Sequence, residues 1–159
     1  RTRKRRDPDV LVIDADVLFD EVWGRDPASD GLIEKVSPAC FRFAFDSRLK
    51  AEYRQFDRLP GAFSIRQVRS RIFAKAVPGC GRSAAGRVVL PPAVRESTWD
   101  LSDDEHLLAT ALRFGAGRIV TSEKRNLKAA AAVRSSMGIE VLGNAQAAAL
   151  ARRPCPAAR

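Results

Sequence analysis

A single histidine in 159 residues, His106, excludes any metal centre built from several imidazoles. Three cysteines, Cys40, Cys80 and Cys155, stand far apart with no C-x-x-C pair among them. An odd and scattered set supplies neither a disulfide framework nor a zinc site, and it reads as reduced thiols of a cytoplasmic protein. No window approaches the ~18 consecutive apolar residues of a membrane helix. No apolar stretch near the start resembles a secretory signal. The first residue is Arg rather than Met, which leaves room for truncation or processing at that end. Internal repeats are absent.

What remains is ordinary in bulk and unusual in charge. The chain has one domain's length, with 45% apolar and 30% charged residues, enough to bury a core. Lys and Arg number 28 against 19 Asp and Glu, a net charge of +9. Solubility accounts for part of such an excess. A polyanionic partner is the other reading of such an excess, because each phosphate neutralised releases condensed counterions, and the charge by itself does not choose between them. Residues 1–9 read as a basic tail, 10–151 as a single domain, and 152–159 as a disordered tail.

Val10 to Ile13 is a short apolar run without alternation, as in a strand covered on both faces, and it ends at Asp14. Asp16 is placed to cap a helix starting near Val17. Asp46 or Ser47 opens a second helix that places Leu49, Phe56 and Leu59 on one face, ended by Pro60-Gly61. A third helix runs through Ile65, Val68, Ile72 and Ala76, with Arg66, Arg69 and Arg71 expected on its exposed side. Pro78 to Pro92 reads as loop. Ser102-Asp103-Asp104-Glu105 has the form of a capping box for a helix closed by Gly115. Arg118 to Thr121 and Ile139 to Leu142 read as further strands, with helices over Lys128 to Ser135 and from a cap at Asn144 to Leu150. Alternating strands and helices predict an α/β fold, a three-layer α/β/α sandwich on a short parallel sheet. In such a sheet the site lies at the carboxyl ends of the strands.

The acids sit at those places. Asp14 ends the first strand, and Thr121, Ser122 and Glu123 follow the second. Asp104 lies in the first turn of the helix that leads into the second strand. Glu52 falls in the row Leu49, Glu52, Phe56, Leu59, where a carboxylate is costly unless paired or metal-bound. Each has a plainer explanation: a turn for Asp14, an arginine partner for Glu52, the helix dipole for Asp104. Asp16 and Asp20 read as capping and solvating acids, and His106, two residues from Asp104, is expected to point elsewhere. Oxygen ligands without His or Cys partners select Mg²⁺ or Mn²⁺. Such ions suit phosphodiester hydrolysis, because they acidify an attacking water and neutralise the leaving oxygen.

V-I-D-A-D-V-L-F (Val12 to Phe19) resembles the opening strand and first acid of PIN domains, usually D-x-N-x-L, with Asp16 in place of the usual Asn. S-R-L-K-A-E-Y (Ser47 to Tyr53) is similar to the family's second-acid helix, and S-D-D-E-H-L-L-A-T-A-L (Ser102 to Leu112) to its third. G-A-G-R-I-V-T-S-E (Gly115 to Glu123) resembles the next strand and its T-x-D ending, with Glu123 for Asp, and G-I-E-V-L (Gly138 to Leu142) the last strand. Where some members show one more acid, this chain has Arg125 or Asn126.

The resemblance spans most of Val10 to Leu150 and is weakest between Phe63 and Glu96. It implies a ribonuclease using Mg²⁺ or Mn²⁺, often the toxin of a bacterial toxin–antitoxin pair. Asp14, Glu52, Asp104 and Glu123 become its metal-binding and catalytic acids, with Thr121 and Ser122 beside them as substrate contacts; Arg66, Arg69 and Arg71, with the basic tail, are the candidates for phosphate contacts on the ground of their charge. An antitoxin protein is then an expected partner, a homodimer stays open, and no membrane is involved. Two other readings stand beside it. One is a PIN-like module with a decayed site that binds RNA or protein, motivated by Glu123 and Asn126. The other takes D-A-D-V-L as the D-x-D opening of haloacid-dehalogenase-like phosphatases, with Asp14 the nucleophile. That scheme places paired acids after a strand, whereas Asp103-Asp104 precede a helix, and it has no use for Glu52.

Overall fold

The computed structural model describes residues 6–37, 40–55, 57 and 62–153, apart from the side chains of 62 and 63. It is an α/β fold: a four-stranded, all-parallel sheet in the order β2-β1-β3-β4, flanked by helices as a three-layer α/β/α sandwich. The strands are β1 (Asp7–Ile13), β2 (Arg42–Phe43), β3 (Ala116–Val120) and β4 (Glu140–Leu142). The helices are α1 (Ala15–Trp23), α2 (Leu32–Val36), α3 (Ser47–Tyr53), α4 (Ala62–Ala74), α5 (Pro92–Arg95), α6 (Glu105–Phe114), α7 (Lys124–Lys128), α8 (Ala130–Met137) and α9 (Asn144–Leu150). Val10 to Ile13 and the whole of β3, Arg118 included, are buried, as expected of central strands covered on both faces.

Register sets the site. Ile13 lies opposite Val120, and Val120 opposite Leu142. The next residues, Asp14 and Thr121, therefore leave the sheet side by side. Asp14 N–H donates to the Val120 carbonyl at 2.9 Å, and Thr121 N–H to that of Leu142 at 2.9 Å.

Several local expectations are corrected. β1 begins at Asp7, so the basic tail is shorter than residues 1–9, and its first five residues lie outside the described ones. Arg42–Phe43 forms a strand two residues long, too short to show a period in sequence. α1 starts at Ala15 with Asp14 at the cap position, which leaves Asp16 exposed in the first turn. Ser102 does not cap α6, because its hydroxyl donates to Asp100 Oδ1 at 2.8 Å and Asp104 occupies the cap position. α9 is capped at Gly143, whose N–H donates to Gln146 Oε1 at 3.0 Å. Asn144 is buried instead, and its amide donates to Asp20 and Asp26 at 3.2 and 3.1 Å. Asp20 is likewise buried rather than solvating. Cys40 is disulfide-bonded and Cys80 carries a free thiol, where the sequence suggested three reduced thiols. Among the described residues no helix is long and apolar enough to cross a membrane.

Gly117 of β3 lies hard against the backbone at the start of β1. A Cβ there would stand 2.7 Å from the Asp7 carbonyl oxygen and 2.8 Å from Pro8 Cα, and backbone cannot swing aside as a side chain can. Gly117→Ala is expected to cost about 1–3 kcal/mol of stability by overpacking, read as a lowered denaturant midpoint. An unchanged midpoint would mean that the strands separate freely.

Candidate active site

Asp14 stands at the cap position of α1, yet its carboxylate bonds none of that helix's amides. Oδ2 instead accepts the Thr121 hydroxyl at 2.8 Å. Thr121 Oγ1 in turn accepts the Glu123 N–H at 3.1 Å, so its one proton is left for Asp14. Asp14 is 5% exposed. Burial first, then the carboxylates of Asp104, Asp16 and Glu52, push its pKa up to about 7 against the opposing Thr121 hydrogen bond.

Asp104 repeats the pattern. It is the cap residue of α6 and makes no side-chain cap bond. Its Oδ2 accepts Asn126 Nδ2 at 2.7 Å. Its main chain is held twice, by N–H to the Asp100 carbonyl at 2.9 Å and by Trp99 Nε1 on its own carbonyl at 3.1 Å. Burial raises its pKa, Asp100 and Asp16 add to the rise, and the Asn126 bond and His106 oppose it.

Glu52 comes in from α3, which is fastened at both ends. Asp46 caps it, accepting the Leu49 N–H at 2.8 Å. Tyr53 donates its hydroxyl to the carbonyl of Ile13, the residue before Asp14. The helix ends at Tyr53, short of the expected stripe, and Phe56 and Leu59 lie outside the described residues. Glu52 therefore sits at a rim, with its side chain 30% exposed and Oε1 3.7 Å from Arg48 Nε. Burial raises its pKa, His106 and Arg48 lower it, and Asp104 and Asp46 raise it further.

The structure thus brings Asp14, Glu52 and Asp104 within electrostatic reach of one another. Glu123 is placed differently. It caps α7, its side chain accepting the Arg125 N–H at 3.3 Å, and it acts on Asp16. Thr121 is fully buried and Ser122 partly exposed beside it. Arg66 is exposed on α4, but Arg69 is not on the exposed side. Its guanidinium donates to the Tyr53 carbonyl at 3.2 Å and pairs with the Asp57 carboxylate, bracing α4 against the end of α3. Arg71 pairs with Glu34 at 3.6 Å.

Two residues were missed in the sequence. His106 is buried between Asp46 and Glu52, with ring nitrogens 3.7 and 3.5 Å from their carboxylates. Helical spacing from Asp104 misled because Asp104 caps the helix from outside, at φ −115 and ψ 6. Asn126 is fully buried, but it lies in a polar stretch after Lys124 and Arg125 with no apolar period to mark it.

The donor set is all carboxylate and suits a hard cation. The acids raise one another's pKa values, and a bound divalent ion would relieve that repulsion. Among the described residues no group of three or more His, Cys, Asp or Glu stands ready to hold a metal ion, so the ion would have to draw the carboxylates inward. A concave surface lined by Arg6, Val89, Leu112 and Met137 lies at the opposite end of the sheet, where strands begin. Comparison with protein-family models, with characterised proteins and with solved structures gives no match to this chain.

Proposed function

We propose that the chain is a Mg²⁺- or Mn²⁺-dependent ribonuclease of the PIN type, with Asp14, Asp104 and Glu52 as the acids that hold the ion. The observation that carries this is the use of two helix-capping acids. Elsewhere in the chain acids at cap positions bond the amides they precede: Asp26 to Ala28 at 3.0 Å, Asp46 to Leu49 at 2.8 Å and Glu123 to Arg125 at 3.3 Å. Asp14 and Asp104 do not. A cap bond, the commonest use of an acid at a helix start, therefore does not account for where their carboxylates point.

Bound there, the ion would supply an acidified water and charge neutralisation at the cut phosphodiester. The chain's own part is to fix the acids: Thr121 orients Asp14, Asn126 orients Asp104, and Tyr53 with Asp46 holds the helix of Glu52. Exposed Arg66 and the basic tail are proposed to grip phosphates. Replacing Arg66 should flatten the dependence of log affinity on log salt by roughly one unit, and an unchanged slope would place the RNA elsewhere. The net charge of +9 and the toxin-like resemblance support an inhibitory protein partner that covers the acids.

Two observations favour the decayed-module reading: Glu123 serves as a cap, and Asn126 stands where a further acid is expected. A mixed pool of structured and unstructured RNAs, incubated with Mn²⁺ or with chelator, separates the readings. The nuclease cuts RNA with Mn²⁺ alone and leaves a small phosphate ester intact. A decayed module cuts neither, and a phosphatase releases phosphate from the ester.

A further inference from the structure

Asn126 occupies the position at which a further carboxylate was sought, and its amide orientation is fixed by the chain itself. Its Oδ1 accepts the backbone N–H of Asp100 at 2.9 Å. A backbone N–H can only donate, so the oxygen must face Asp100 and the NH₂ must face Asp104 Oδ2, 2.7 Å away. With Oδ1 and Nδ2 both turned to the chain's own groups and the residue 0% exposed, Asn126 presents no atom to solvent.

The segment it holds is otherwise a loop between α5 and α6. α7 clamps that loop at three points. Thr98 Oγ1 donates to the Arg125 carbonyl at 2.7 Å, Arg125 Nη2 lies 3.6 Å from Asp100 Oδ1, and Asn126 spans Asp100 and Asp104. Of these, only the Asn126 bond reaches the Asp104 carboxylate. It engages one oxygen and leaves Oδ1 of Asp104 without a hydrogen bond among those described.

We infer that Asn126 is a positioning residue, not a lost ligand: it holds the Asp104 carboxylate in place by one oxygen and leaves the other free to meet a cation. The inference rests on the metal-dependent reading above. Groups behind a metal ligand commonly set affinity by about 10- to 100-fold, and the effect must run through the ligand they touch.

The test is Mn²⁺ binding by calorimetry at about pH 8, above the Asp14 pKa, for the wild-type chain, Asn126→Ala, Asp104→Asn and the double variant. The expected result is an affinity about 10- to 100-fold weaker in Asn126→Ala, with no further loss when the same change is made in Asp104→Asn. Should Asn126→Ala not fold, Asn126→Leu, which fills nearly the same volume and makes neither bond, enters the same comparison. Wild-type affinity in the Asn126 variant overturns the positioning role. So does an equal loss with and without the Asp104 carboxylate, which would mark a general structural effect. No Mn²⁺ binding by the wild-type chain removes the metal reading itself, a result distinct from either.

Discussion

In chelator, Asp14→Asn should be more stable than the wild-type chain near neutral pH, and no more stable in acid. A carboxyl whose folded pKa is raised keeps a proton that the unfolded chain has released, so stability is full below the unfolded value and falls as pH rises through the folded one. For Asp14 that window runs from about 4, the ordinary value, to about 7. A rise of this size corresponds to on the order of 4 kcal/mol, and Asp14 at 5% exposure is little screened by solvent. Asn retains an oxygen for the Thr121 hydroxyl and carries no charge. Glu21, on α1, is also raised to about 7, by burial against opposing amide bonds from Ile33 and Glu34. It keeps part of the pH slope in the variant. The check is urea unfolding from about pH 4 to pH 8: the two stability curves should diverge across the window. Parallel curves would mean that Asp14 is ionised without strain.

Glu52→Gln and Asp104→Asn should each remove cleavage, by roughly 10²- to 10³-fold or more if each acid contributes several kcal/mol to the barrier. The two differ in what they leave behind. Asp104→Asn places an amide against the Asn126 NH₂ within a buried bond of 2.7 Å, so it must turn its oxygen toward Asn126. Glu52→Gln frees Arg48, whose Nη2 still donates to the Asp103 carbonyl at 3.0 Å. Single-turnover cleavage with Mn²⁺, together with circular dichroism to establish folding, measures both. A wild-type rate in either variant removes that residue from the site.

The three longer strands were legible and β2 was not, because burial on both faces writes a plain signal: Val10 to Ile13 and Arg118 to Val120 each run into a polar residue, Asp14 or Thr121, at the carboxyl end. Arg118 itself shows the limit of that signal. It is buried within β3, its guanidinium donating to the Pro8 carbonyl and its Nε 3.5 Å from Glu140. Contacts between segments distant in sequence left no local trace. Asn126 against Asp100 and Asp104, His106 between Asp46 and Glu52, and Arg69 on Asp57 are all of this kind. Glu52 was singled out for an apolar stripe, yet it reaches the other acids because Tyr53 ties α3 to the end of β1. Ser102 matched a capping pattern whose spacing was right, but Asp100 competes for its hydroxyl.

On the proposed reading, Asp14 and its neighbours hold a divalent ion that cuts RNA. Its most direct test is the rate of RNA cleavage as Mn²⁺ is raised, for the wild-type chain and for Asp14→Asn. The rate should rise with Mn²⁺ to saturation in the wild-type chain, fall to background with chelator, and stay at background in Asp14→Asn at every concentration. Cleavage that persists in chelator, or that Asp14→Asn retains, would contradict it.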